Sequence, residues 1–434
     1  MKNIKKMQKG IIIAGLAIIL LLNCSRNQEA EEVEKAGTCG ENLTWICKDG
    51  VLTISGTGEM VFDDDARFYL GGVHKVVVEE GCTSIADEAF ERLDSLTEVI
   101  LADSIQRIGR SAFSGCDSLT EIDLPDSLQH IRQYAFSGCG SLTEVDFSAS
   151  DSLRVIEAGV FENCISLKQA DFPDSLEWIG ISAFEGCSSL KQITLPDSLQ
   201  GVAQGIFSDC ASLTLAVIPE SLQSIPAYMF SGCVSLREVT LPDSIQAIGG
   251  SAFSGCRSLQ GIDLPDDLET LDDSAFEGCR SLQRIDLPDK LETMGERVFR
   301  ECKNLKEIIL PESLQSLGRG AFWGCDSLEK VYLPDPIMSI EGETFGNCTS
   351  LKEIKFPAAL EYIGTYAFAD CSSLTEVELP DSIKTIGGYA FSNCTSLREV
   401  AFPDTLEKIE RFAFSGCTAL SAETGQRVGK YVPG

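Results

Sequence analysis

From residue 73 onward the apolar positions recur with a fixed period. The unit reads L-x-x-I-x-L-P-D-S-L-x-x-I-g-x-x-A-F-x-g-C-x-S. Its Phe stands at 90, 113, 136, 161, 184, 207, 230, 253, 276, 299, 322, 345, 368, 391 and 414, at intervals of 23 residues except for one of 25. From the second unit on, a Cys follows each Phe by three residues. Fifteen such units fill 73–419. The alternation in L-x-x-I-x-L marks a half-buried strand. Pro-Asp-Ser cannot continue a central strand and predicts a turn. L-x-x-I-g is a second short extended piece, and A-F-x-g-C predicts a helical turn that closes the coil. One unit cannot bury its own apolar face, but stacked copies can. The expectation is a β-rich solenoid: a right-handed superhelix or horseshoe of about 15 repeats with short strands and helical turns. That replaces the two or three domains that 434 residues alone would suggest.

The ends do not repeat. Residues 37–72 contain two alternating runs around Asp49-Gly50, a hairpin signature, with Gly56-Thr57-Gly58 as a second turn. This segment is expected to cap the first coil's apolar edge. Residues 420–434 read as a short polar tail. Lys2, Lys5, Lys6 and Lys9 precede an apolar run at 11–22, about half the length a bilayer span needs, so 1–23 reads as a signal segment. Residues 24–36 are polar and acidic, a flexible tether.

Charge and chemistry then narrow the function. Asp plus Glu number 66 against 35 Lys plus Arg, a net charge of −31 that excludes a nucleic-acid binder. The only two histidines, His74 and His130, lie in different repeats beside no paired nucleophile, so no enzyme is expected. Equivalent cysteines on neighbouring coils point the same way and cannot converge on a disulfide; they are expected as buried thiols. Cys39 and Cys47 lie off that ladder and are the one candidate disulfide pair. The residue after the Pro is acidic in fourteen of fifteen units. Two readings stand for this row, including Asp243, Asp266, Asp289, Glu312 and Asp335. Either each acid caps its own turn, or the row weakly binds Ca²⁺; no other cofactor is expected. The outward strand column varies freely. Its stretch Ile309, Tyr332, Lys355, flanked by Lys306 and Lys352, is the candidate binding face. Two extra residues near Ser148 and Ser150 predict a local bulge.

The motif I-g-x-x-A-F-x-g-C-x-S-L-x-x-I-x-L-P resembles the 23-residue leucine-rich repeats of BspA-like bacterial surface antigens, over about four fifths of the chain. The resemblance implies a surface-exposed protein that adheres to extracellular or host proteins. Two alternatives stay open: a glycan-binding accessory lipoprotein and a structural spacer. Against the glycan reading, Trp45 falls in the cap and Trp178 and Trp323 in the coil turns, which leaves only Tyr332 on the proposed face. Leu21-Leu22-Asn23-Cys24 resembles a lipobox, with Asn23 in place of the usual small residue. It implies lipidation of Cys24 and membrane attachment by a lipid anchor alone. Gln28-Glu29-Ala30-Glu31-Glu32 resembles the acidic signal that sends some lipoproteins to the outer face of the outer membrane. The repeated Asp-Ser-Leu and Asp-Ser-Ile triplets resemble a Bacteroidetes O-glycosylation site.

Overall fold

A computed structural model describes residues 35–61 and 71–431. The expected signal segment, Cys24 and the first part of the tether lie outside the described residues. β1 (Lys35–Thr38) begins within the stretch read as tether and pairs with β2 (Asn42–Lys48), which pairs with β3 (Val51–Glu59), all antiparallel. Asp49 and Gly50 join β2 to β3 with φ of 52° and 72°, the left-handed pair a two-residue hairpin requires. β3 then covers two edges at once. Its first half pairs in parallel with β4 (Lys75–Val78), and its last residues pair with β5 (Cys82–Ile85). Gly56 makes that corner, because a side chain there would meet the Asn42 carbonyl oxygen at 2.0 Å and φ is 117°. The predicted cap is therefore a three-stranded meander whose last strand starts both ladders of the solenoid.

Each coil adds one rung to two parallel ladders. Lys330–Tyr332 lies between Glu307–Ile309 and Glu353–Lys355. On the second side, Ala247–Ile248 lies between Ser224–Ile225 and Thr270–Leu271. The first ladder lapses at 121–123, 261–263 and 284–286, where Asp123, Asp263 and Asp286 hold the outward column.

The third side departs from expectation. The A-F-x-g-C arc is not a helical turn. Two residues per coil, two before and two after the Phe, are left-handed, as in Ser251 and Gly255 with φ of 56° and 74°. Backbone N–H groups at Ser251, Phe253 and Gly255 donate to carbonyls of Asp273, Ala275 and Glu277 on the next coil at 2.7–2.8 Å. Left-handed residues on either side of the Phe interrupt any helix, and alternate N–H groups donate along the stack, so the arc forms an inter-coil ladder that a helix, with its bonds closed internally, could not. The glycine, Asn or Asp common after the Phe is what that conformation favours.

The core is a continuous column. Phe rings from Phe90 to Phe414 are fully or almost fully buried and sit 5.1–5.9 Å apart. The ladder cysteines are buried free thiols. Each Sγ–H from Cys116 to Cys417 donates to the carbonyl of the Phe one coil earlier, as from Cys256 to Phe230 at 3.2 Å. The two extra residues at 148–150 produce no bulge in the ladder. Glu144–Asp146 stays in register with Gln169–Asp171, while Ser148 N–H caps the Asp146 carboxylate at 2.8 Å and Ser150 is buried. The insertion is absorbed by the turn.

The expected polar tail is a helix, α1 (Ala422–Tyr431). Ser421 caps it, its Oγ accepting from Thr424 N–H at 3.2 Å. Leu420 and Val428 pack on the core, and Arg427 lies over the Phe402 ring while donating to its carbonyl at 2.7 Å. α1 thus closes the last coil's open face.

Cys39 and Cys47 are both buried, and no disulfide joins them. Cys39 N–H bonds Leu43 O at 3.1 Å, while Cys47 faces Lys35 and Leu52. Four strand residues, about 13 Å, separate the two positions, beyond the ~7 Å a disulfide spans. The candidate pair is not bonded in this structure.

Burial pushes the thiols of Cys116, Cys164, Cys279 and Cys371 up to about 12. An unfolded thiol ionises near 8.5. The native state therefore holds these protons while the unfolded state releases them, and stability present below pH ~8.5 is lost as pH rises toward 12. Urea unfolding is expected to show stability falling between pH 9 and 11 by about 1.4 kcal/mol per pH unit for each of these four thiols. A flat profile over that range would contradict the buried ladder.

Candidate functional site: an exposed strand column

The strand L-x-x-I-x-L turns its Leu and Ile inward and every second residue outward. Ile309, Tyr332 and Lys355 are direct cross-strand partners on three consecutive rungs. Ile309 is 77% exposed and Tyr332 47%. Nothing in the packing of the coil requires an apolar residue there, since the same column holds Asp146 and Thr240 on other rungs.

The flanking columns are charged and mutually neutralising. Lys352 Nζ meets Glu329 at 2.8 Å, and Lys330 meets Glu353 at 3.0 Å. Tyr332 Oη donates to Glu353 Oε1 at 3.5 Å. The Glu329 carboxyl is held below its ordinary value, first by the hydrogen bond from Lys352 and then by its charge, with Lys306 adding to it. Lys352 therefore belongs to an ion pair, while Lys306 contributes only its nearby charge. What the face offers a partner is an apolar–aromatic–cationic line, Ile309–Tyr332–Lys355, bordered by paired charges.

The acidic row lies elsewhere, at the turn. Asp243, Asp266, Asp289, Glu312 and Asp335 are all exposed, one per coil. Glu312 accepts from the Asp335 amide at 3.2 Å, and Glu80 accepts from Asp103 in the same way, so part of the row bonds between coils. Among the described residues no three His, Cys, Asp or Glu side chains form a group able to hold a metal. Weak Ca²⁺ binding along the row stays a proposal. A melting shift in millimolar Ca²⁺ but not Mg²⁺ supports it, and equal melting in both removes it.

The serine beside each acid has a structural role the repeat pattern alone does not reveal. Ser198, Ser244, Ser313 and Ser382 donate Oγ–H to the Leu carbonyl one coil earlier at 2.6 Å. These hydroxyls are partly buried and committed, which leaves them poor acceptors for a glycan.

Two surface features were hidden in the sequence. Tyr366, Tyr389 and Phe412 stack at 4.8 and 5.0 Å on the arc, at the left-handed position that other coils give to Ser, Gly, Tyr or a charged residue. Only alignment of the column two residues before each Phe exposes them. Trp178 lies in the second strand, Trp178–Ile179, not in a turn, and is 43% exposed. Trp323 does sit in a turn, with Arg300 4.6 Å from its ring centre, and Trp45 is buried in β2.

Parallel coils with a Leu/Ile core and an outward-reading strand face define a leucine-rich-repeat β-solenoid. The chain belongs to the BspA type leucine rich repeat family, whose model matches residues 64–153, 154–279, 223–352 and 315–428. A leucine-rich repeat protein from Bacteroides ovatus is 26% identical, with 91% of this chain and 93% of that one covered and a TM-score of 0.60. A leucine rich cell surface protein from Faecalibacterium prausnitzii is 24% identical over 90% and 95% of the two chains, with a TM-score of 0.43. The pneumococcal vaccine antigen PcpA is 19% identical over 86% and 99%, with a TM-score of 0.47. No curated protein matches the chain by sequence. Among the described residues no helix is long and apolar enough to cross a membrane.

Proposed function

We propose that this protein is a non-enzymatic adhesion protein of the cell surface. In this reading a lipid on Cys24 holds it at the outer membrane, and the column Ile309–Tyr332–Lys355 grips extracellular or host proteins. The observation that carries the proposal is the exposure of Ile309 beside Tyr332 in a column free to be polar. Covering a large apolar side chain contributes roughly 1.5–3 kcal/mol, enough for one anchor of a protein interface. The ion pairs on its N-terminal side keep the flanking charges from opposing a partner, and Lys355 favours one with an acidic rim.

The test is surface plasmon resonance of the full chain against a panel of immobilised extracellular-matrix proteins. Ile309→Asp and Tyr332→Ala are each expected to weaken binding at least tenfold, about 1.4 kcal/mol. Thr194→Ala, in the same column five rungs away, is expected to change nothing. Equal binding by all variants would reject this face, and no binding to any protein would favour a spacer.

A further inference from the structure

The second side of the solenoid carries a feature that the strand face does not explain. In the outward column of the second strand, successive rungs hold Val155, Trp178 and Gly201 as direct partners. Gly201 is the only glycine in this column over fifteen coils, where others place residues such as His130, Thr270 or Lys408. Its backbone does not need glycine, since its φ is not left-handed. What it provides is clearance. A Cβ on Gly201 would fall 2.5 Å from Trp178 Cζ3 and 3.1 Å from Cε3, so the benzo ring of the indole lies directly across the Gly201 backbone. A strand glycine costs roughly 0.5–1 kcal/mol and often marks a close approach. Here it lets an exposed tryptophan lie flat along the surface. Among the described residues no second ring stacks on it.

The surroundings are polar and concave. One open hollow of about 440 Å³ is bordered by Asp151, Arg154, Asp174, Glu177 and Gln200. A second, of about 400 Å³, is bordered by Gln200, Gly201, Gln223 and Ser224. Gln200 is common to both; Trp178 lines neither, but follows Glu177 of the first in sequence and is the ladder partner of Gly201 of the second. Arg154 is fixed in place: it donates to the carbonyls of Asp151 at 2.9 Å and Ser175 at 3.2 Å and approaches Glu177 at 3.5 Å. The insertion at 148–150 enlarges the turn that leads into Asp151.

We infer that this is an oligosaccharide-binding site, with Trp178 as the platform for the apolar face of a sugar ring and the planar groups of Gln200, Gln223, Glu177 and Arg154 as partners for its hydroxyls. Each element has a physical reason. An indole presents a flat apolar face with a polar edge. Amide, carboxylate and guanidinium groups supply paired donors and acceptors in one plane, which fits adjacent hydroxyls. Three carboxylates against one guanidinium repel an acidic glycan, so the ligand class is a neutral oligosaccharide. The site is independent of the Ile309–Tyr332–Lys355 face and stands or falls separately from it.

The test uses the full chain on a printed array of neutral, uronic-acid and sulfated oligosaccharides. The neutral hexasaccharide retained most strongly is then titrated while tryptophan fluorescence is followed. Retention of neutral glycans is expected. Trp178→Ala and Gly201→Val are each expected to weaken binding at least tenfold, with circular dichroism unchanged, because Val already occupies this column at Val155. Tyr332→Ala is expected to bind the sugar as the unaltered chain does. Retention of no neutral glycan, retention of acidic glycans alone, or unaltered binding by both Trp178→Ala and Gly201→Val would overturn the proposal.

Discussion

The structure depends on coil-to-coil register. Most neighbouring coils meet through backbone hydrogen bonds on three sides, the arc without a break and the two strand ladders with local lapses, and these bonds hold only if equivalent residues coincide. The 23-residue spacing is the length at which they do. Phe then stacks on Phe, each thiol reaches the preceding Phe carbonyl, and each turn serine reaches the preceding Leu carbonyl. None of these contacts is strong alone, and a typical hydrogen bond contributes about 1 kcal/mol net. Repetition makes them collective, and stability becomes a sum over neighbouring coils. The one unit of 25 residues confirms the constraint, because its excess is confined to a turn: the second ladder stays in step at Val155 and the first at Gln169.

Much of this was legible. The Leu, Ile, Phe and Cys positions announce the buried column, and Pro-Asp-Ser announces the turn. The arc was misread because its signal is weak. The position after the Phe favours Gly or Asn, but the left-handed position before it holds residues such as Tyr366, Arg297 and Glu343, which carry no local preference for that conformation. Tertiary hydrogen bonds impose it. The terminal helix was obscured by Gly425 and Gly429, poor helix formers that are tolerated because Leu420 and Val428 dock on the last coil.

The candidate sites divide along the same line. Ile309, Tyr332 and Lys355 could be read from one variable column, because a strand places every 23rd residue side by side. Their lysine flanks were visible too, but not their pairing with Glu329 and Glu353. Trp178 was assigned to a turn, so its platform was invisible until the strand boundary was known. The relevant signal was the coincidence of Trp178 with Gly201 one repeat later, a relation between neighbours and not a property of either. A uniform coil of this kind keeps function on its surface columns, since any change inside is felt by every rung that stacks on it.

Hydrogen exchange read residue by residue tests the central claim most directly, because the arc and the strands should be ladders of one kind. The amides of Ser251, Phe253 and Gly255 are predicted to be protected as strongly as those of Val331 and Ile248, with protection falling only toward the end coils and at the lapsed rungs. Rapid exchange across the arcs, with protection confined to the strands, would contradict a solenoid held in register on three sides.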